Sequence, residues 1–214
     1  MKPPREALLE ASARLLQNGL NTGTAGNVSV RDGDGFLITP SGLAVERMTV
    51  HDMVWMGFDG RIEGTREPSS EWRLHADILR TRPEVHAVVH THAMYASTLA
   101  CMRREVPPFH YMIAVTGASR IRCAQYALFG TQEFSDTALR ALAASNACLL
   151  ANHGMVALGR DLDRALALAI EVETLCERYW RTLQLGEPVL LTDEGMAAVF
   201  ARFTHYGQWR GSHD

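Results

Sequence analysis

Two histidines stand two residues apart at the end of Val85-His86-Ala87-Val88-Val89-His90-Thr91-His92, an apolar and β-branched run. In a strand alternate side chains share a face, so the imidazoles of His90 and His92 would lie side by side. That is a metal-ligand spacing. A second apolar run, Cys148-Leu149-Leu150-Ala151-Asn152, ends in His153-Gly154, and Glu71 follows Ser69-Ser70 upstream. Three histidines and one carboxylate can enclose a zinc ion if they converge, leaving the carboxylate or an open position for chemistry.

Each piece also has a plain reading. Glu71 falls where a helix would start, and carboxylates are favoured in a first turn. His86 shares strand parity with His90 and His92 but lies a step further away. His51, His75, His205 and His213 read as lone, hydrogen-bonded histidines, and His110 beside Tyr111 stays ambiguous. Tyr111 fits either an acid near a reacting oxygen or an aromatic with a satisfied hydroxyl.

The elements that must position these groups are legible from pattern. Residues 4–18 read as an amphipathic helix with Pro4 in its first turn and Asn18-Gly19 as its stop. Asn21-Thr22-Gly23-Thr24-Ala25-Gly26-Asn27 is a run of small and amide residues before the strands around Val28–Val30 and Phe36–Ile38. Its backbone N–H groups could encircle an anion, or it could be a turn. Thr39-Pro40-Ser41-Gly42 offers hydroxyls beside a second tight turn.

A hairpin is expected over 51–64, turning at Asp59-Gly60. Pro68-Ser69-Ser70-Glu71-Trp72 opens a helix running to about Arg80, with Ser69 or Ser70 as cap and free N–H groups suited to an anion. After the histidine strand come a short helix over Ala93–Cys101 and a break at Pro107-Pro108. Phe109–Val115 then reads as a strand or buried segment. A short strand near Ile121–Ala124 precedes a helix capped by Ser135, and the strands Cys148–Ala151 and Met155–Leu158 flank His153. A long helix from Asp161 to Gly186 and a last one from Thr192 close the chain.

With 214 residues, 47% hydrophobic and 21% charged, the chain suits one soluble domain, 1–214, with a tail from about residue 204 that is loosely held. A net charge of −3 gives no reason to expect nucleic acid or an anionic membrane as partner. The four cysteines form no CxxC pair, the N-terminus lacks an apolar signal core, and no apolar run approaches 18 residues. A cytoplasmic protein is expected.

Thr24-Ala25-Gly26-Asn27-Val28-Ser29, Thr39-Pro40-Ser41-Gly42, Pro68-Ser69-Ser70-Glu71, His90-Thr91-His92, His110-Tyr111-Met112-Ile113-Ala114 and Asn152-His153-Gly154 occur in this order. Together they resemble the zinc-dependent class II aldolase and epimerase superfamily over about residues 5–185, nearest to its fuculose-1-phosphate aldolase branch. The resemblance implies an α/β fold, a three-layer α/β/α sandwich around a mostly antiparallel central sheet. It also implies a homotetramer with active sites at subunit interfaces.

By position, His90, His92 and His153 match the metal ligands, and Glu71 matches a carboxylate that ligates the metal or acts as base. Gly26, Asn27, Thr39, Ser41, Gly42, Ser69 and Ser70 fall in the segments that hold a substrate phosphate. Tyr111 matches a catalytic tyrosine supplied by the neighbouring subunit, Tyr206 corresponds to a tail tyrosine of the family, and Phe129, being apolar, is a candidate with Tyr206 for the aldehyde pocket. The implied cofactor is Zn2+, with another divalent metal open. The implied reaction is reversible cleavage of a ketose 1-phosphate, namely L-fuculose, 5-deoxyribulose or 5-methylthioribulose 1-phosphate, to dihydroxyacetone phosphate and an aldehyde. Dehydration of methylthioribulose 1-phosphate and epimerisation of a pentulose 5-phosphate are the rivals within the superfamily. An adducin-like assembly module is the non-enzymatic one, and the retained Glu71, His90, His92 and His153 argue against it.

Overall fold

The computed structural model describes residues 2–203. Its elements are α1 (Pro4–Gln17), β1 (Asn27–Asp32), β2 (Gly35–Ile38), β3 (Val54–Gly57), β4 (Ile62–Glu63), α2 (Trp72–Thr81), β5 (Ala87–Thr91) and α3 (Met94–Cys101). They continue with β6 (Cys123–Ala124), α4 (Gln132–Leu142), β7 (Ala147–Leu150), β8 (Gly154–Gly159), α5 (Leu162–Leu185) and α6 (Asp193–Phe203). The strands form one sheet in the order β4-β3-β2-β1-β5-β8-β7-β6. Every pairing is antiparallel except that of β6 with β7.

Both faces of the sheet are covered, which is why its inner strands read as continuous apolar runs and not as alternating ones. Val89, Leu149, Met155 and Ala157 point into one core with Leu8 and Leu15 of α1, Leu99 of α3, and Leu166 and Val172 of α5. Val88, Cys148, Leu150 and Val156 point into the other with Leu74 and Ile78 of α2 and Phe134 and Leu142 of α4. These are the three expected layers. Each fully buried valine, leucine, isoleucine or methionine among them contributes about 1.5–3 kcal/mol from apolar burial, enough to hold the central strands fixed.

Three expectations need correction. Phe109–Val115 is not a strand: Tyr111–Thr116 is a 3-10 helix, started where the His110 Nδ1 accepts the Met112 N–H and stopped by Gly117 at φ +80°. The helix α4 is capped by Thr131, whose hydroxyl accepts from the Phe134 N–H, while Ser135 is buried with its hydroxyl on Asp77. Helix α2 starts at Trp72, so neither Ser69 nor Ser70 caps it, and Glu71 sits at the boundary outside the first turn. The expected tail from about 204, with Tyr206, His205 and His213, lies outside the described residues. No helix among the described residues is long and apolar enough to cross a membrane.

Candidate metal centre

The centre forms where the α2 layer begins. His90 has the parity of Val88 and therefore faces the α2 side of the sheet. In register it lies between Asn27 of β1 and Val156 of β8. Its Nδ1 donates to the Met155 carbonyl at 2.8 Å, so the neutral ring presents a bare Nε2 lone pair.

His92 lies just past the strand end, and its Nε2 stands 3.1 Å from that of His90. The His92 backbone N–H donates to Asn21 Oδ1 at 3.3 Å. Asn21 in turn packs on Gly26, where a Cβ would come within 2.4 Å of its side chain.

His153 ends the turn between β7 and β8. Asn152 makes that turn in the left-handed region at φ +56°, a conformation asparagine tolerates better than most residues. Gly154 then crosses β5 so closely that a Cβ would lie 2.2 Å from the Thr91 carbonyl oxygen. Phe134 of α4 stacks on the His153 ring, with centroids 5.2 Å apart.

Glu71 completes the set. Oε2 is 3.2 Å from His90 Nε2 and accepts from Asn27 Nδ2 at 2.8 Å, and Oε1 is 3.3 Å from His153 Nε2. That Oε1 is buried with no hydrogen-bond partner among the described residues. One ligand atom from each of the four residues falls within 4.8 Å of the others. Ligands about 2.0–2.1 Å from a tetrahedrally bound divalent ion would lie about 3.3–3.4 Å apart. The separations of 3.1, 3.2 and 3.3 Å are close to that.

The electrostatics describe a cluster in which one carboxylate and one imidazole favour each other's charged forms. Burial opposes ionisation of Glu71, but the imidazoles of His90 and His153 and the Asn27 amide outweigh it and hold the carboxyl well below the usual range. Burial also lowers the basicity of His90, and there Glu71 outweighs it and raises the ring's pKa. His92 and His153 are pushed down to about 4, by burial first and then by the His90 charge. The buried orphan oxygen, the converging lone pairs and the N3O donor set fit a divalent cation.

A cleft of about 230 Å3 opens onto the centre, lined by Gly26, Asn27, Ser41, Gly42, Ser69, Ser70, Glu71, His92, Phe129 and His153 together with Thr24, Ala25 and Pro40. Backbone bonds from Ser41 to Glu67 and from Ser69 to Thr39 bring the two hydroxyl turns together. At Gly130 a Cβ would lie 2.7 Å from the Ser70 carbonyl oxygen, and this close approach brings Phe129 to the rim.

Thr39 stands behind the cleft, buried, with its hydroxyl accepting from the Val28 N–H. Tyr111 does not line it; the ring is half exposed and stacked on His110. A larger cleft of about 530 Å3 beside Met112 and Val115 contains no converging ligand set among the described residues.

Pattern alone gives no sign of Phe134 or Glu173, and it places Asn21 in a possible anion-binding run without its bond to His92. Glu173 accepts the N–H groups of Tyr95 and Ala96 at 2.8 Å and so caps α3 directly after His92. Only the fold brings these residues to the histidines.

Residues 6–180 match the model of the class II aldolase and adducin N-terminal domain. The chain belongs to this family. It is 52% identical over 203 residues to a 5-methylthioribulose-1-phosphate/5-deoxyribulose-1-phosphate aldolase of Rhodospirillum rubrum, covering 95% of this chain and 92% of that one. It is 43% identical over 201 residues to an L-fuculose phosphate aldolase of Escherichia coli K12, covering 94% of each. A solved L-fuculose 1-phosphate aldolase superposes with a TM-score of 0.91 at 38% identity, covering 94% of this chain and 96% of that one. The fold is thus that of the class II aldolases, and the chain is an enzyme of the aldehyde-lyase class.

Proposed function

We propose that the protein cleaves a ketose 1-phosphate reversibly into dihydroxyacetone phosphate and an aldehyde, with Zn2+ held by His90, His92 and His153 and, in the absence of substrate, by Glu71. The observation that carries this reading is the convergence of Glu71 and the three histidines at the floor of a cleft walled by Ser41, Ser69 and Ser70. The bound ion supplies a Lewis acid for the substrate's C2 oxygen.

The chain's own residues do the rest. Hydroxyls of Ser41, Ser69 and Ser70 and the backbone around Gly26 and Gly42 hold the phosphate and fix C3 above Glu71. During cleavage the C4 hydroxyl loses its proton, the C3–C4 bond breaks, and its electron pair passes toward the C2 carbonyl. Glu71 takes up a proton from solvent as the C4 proton is released and passes it to C3, and in condensation it removes that proton.

Tyr111 assists proton transfer at the C4 oxygen from a neighbouring copy in a homotetramer, in keeping with its half-exposed ring outside its own chain's cleft. Phe129, 56% exposed at the rim, gives the aldehyde end an apolar wall. That wall favours an aldehyde with no hydroxyl beside its carbonyl, acetaldehyde or its methylthio analogue, over the lactaldehyde of fuculose, and hence 5-deoxyribulose and 5-methylthioribulose 1-phosphate. The four free cysteines suit a reducing cytoplasm.

The test is release of dihydroxyacetone phosphate from the three ketose 1-phosphates, coupled to NADH oxidation, with and without a zinc chelator. Release that the chelator abolishes is expected, with the two apolar-tailed substrates preferred. No release from any of them by zinc-loaded protein would overturn the aldolase reading in favour of the superfamily's dehydratases or epimerases.

A further inference from the structure

Asn27 and Ser29 stand two apart on β1 and share its α2-facing side. Glu71, the residue before α2, and His75 in α2 stand four apart, and both reach toward the sheet. The two pairs interlock. Ser29 Oγ lies 2.7 Å from His75 Nδ1, His75 Nε2 lies 2.5 Å from Asn27 Oδ1, and Asn27 Nδ2 lies 2.8 Å from Glu71 Oε2. Ser29 and His75 are wholly buried, and Asn27 and Glu71 are each 6% exposed.

The direction of every bond in this chain follows by elimination. An ionised carboxylate only accepts, so Asn27 must turn its NH2 toward Glu71 and its carbonyl toward His75. That carbonyl needs a donor, so His75 carries its proton on Nε2. Its Nδ1 is then a lone pair, which the Ser29 hydroxyl satisfies. Burial and the His90 charge push His75 down to about 3, in keeping with a neutral ring. A carboxamide turned the other way would set its oxygen against Glu71 Oε2, two acceptors at 2.8 Å with no proton between them.

We propose that His75 is a positioning residue for Glu71: its Nε2–H locks the Asn27 carboxamide with the amino end toward the carboxylate. Glu71 Oε2 is thereby tethered while Oε1 stays free to face His153. The inference rests on the reading of Glu71 as metal ligand and base. It assigns to a buried core histidine the task of holding that group where the histidine cluster and the substrate's C3 meet.

Two polar replacements separate positioning from mere packing. The amide nitrogen of His75→Gln falls near the place of Nε2 and can donate to Asn27 Oδ1. The shorter amide of His75→Asn falls near Nδ1 and cannot. In zinc-loaded protein, hydrogen–deuterium exchange at C3 of dihydroxyacetone phosphate gives kcat and KM, and competition with a chromophoric chelator gives zinc affinity.

Expected for H75Q is exchange and zinc affinity within about threefold of wild type. Expected for H75N is a kcat lower by about 10- to 100-fold, KM changed less than about threefold, and zinc affinity lower by about 10-fold. Equal impairment of both variants, or wild-type behaviour of H75N, overturns the inference. Wild-type protein that neither binds zinc nor exchanges refutes the function beneath it, and the inference with it.

If neither variant folds, 15N NMR of the wild-type imidazoles decides. A neutral His75 protonated at Nε2, with and without zinc, supports the assignment, and an Nδ1–H tautomer or an imidazolium overturns it.

Discussion

Binding of Zn2+ at about pH 6 should release close to one proton, although three histidines receive the ion. A metal takes imidazoles in their neutral form, so the protons released are those that the rings carry beforehand. Three ordinary imidazoles, with pKa 6.5, would hold roughly 2.3 protons among them at that pH. Here His92 and His153, held near 4, carry roughly 0.02 between them, while His90, raised above its ordinary value by Glu71, carries most of one. Glu71 is ionised already and contributes none. His92 is the exposed ring of the set, where solvent screens the neighbouring charge, so the depression is firmest at His153.

The sign for affinity follows. As pH falls from about 6 to 5, one proton competes with the metal, and affinity should drop about tenfold. Near pH 4 His92 and His153 join the competition and the slope steepens. Calorimetric titration of the metal-free protein in buffers of different ionisation enthalpy counts the protons directly. Release of two or more at pH 6 would refute the argument, because it would mean that His92 and His153 keep ordinary basicity and that the enclosure described here does not act on them.

Further outcomes follow from single contacts. Glu71→Gln should retain bound metal but lower C3 exchange of dihydroxyacetone phosphate by about 10²–10⁴-fold, read by NMR beside metal analysis; wild-type exchange would remove Glu71 as base. Gly154→Ala puts a Cβ 2.2 Å from the Thr91 oxygen and 3.1 Å from His92 Cδ2. Overpacking of this kind costs about 1–3 kcal/mol, so a lower melting temperature should accompany weaker metal binding, and an unchanged pair of values would contradict the packing. Asp52 is held at about 2 by Arg66 and then by Thr49, so it stabilises the fold above its ordinary 3.8 and loses that effect as pH falls through 2. Asp52→Asn should therefore destabilise the protein near pH 7 and flatten the acid limb of urea-unfolding stability between about pH 4 and 2. An unaltered limb would count against the linkage.

How far the site was legible depended on whether its residues are neighbours along an element or across one. The His90 and His92 pair was visible because strand parity is local, and His153 because an apolar run stopped there. The two hydroxyl turns were visible from their composition, yet Thr39 turned inward to the Val28 N–H, which composition does not reveal. Asn21 acquires its role only because it packs on Gly26, and His75 only because β1 lies beneath α2. Phe109–Val115 misled because β-branched and aromatic content suggests a strand, whereas no strand pairs with it. Its N–H groups find local acceptors, His110 Nδ1 first.

The boundary between core and site has one physical origin. Val88 and His90 share a strand face, and so do their partners: Ser29 stands opposite Val88, Asn27 and Val156 opposite His90. Beneath the flank of α2 that face meets Leu74 and Ile78, and apolar residues satisfy it. One step along β5 the face meets the beginning of α2, where Glu71 replaces an aliphatic side chain. The same parity that buries valine then buries a histidine, and a buried histidine beside a buried carboxylate is tolerated only with a cation or proton between them. Position relative to a helix start thus turns the sheet's interior into a ligand set, because Glu71, at the boundary of α2, is the residue whose Oε2 reaches His90 Nε2 at 3.2 Å.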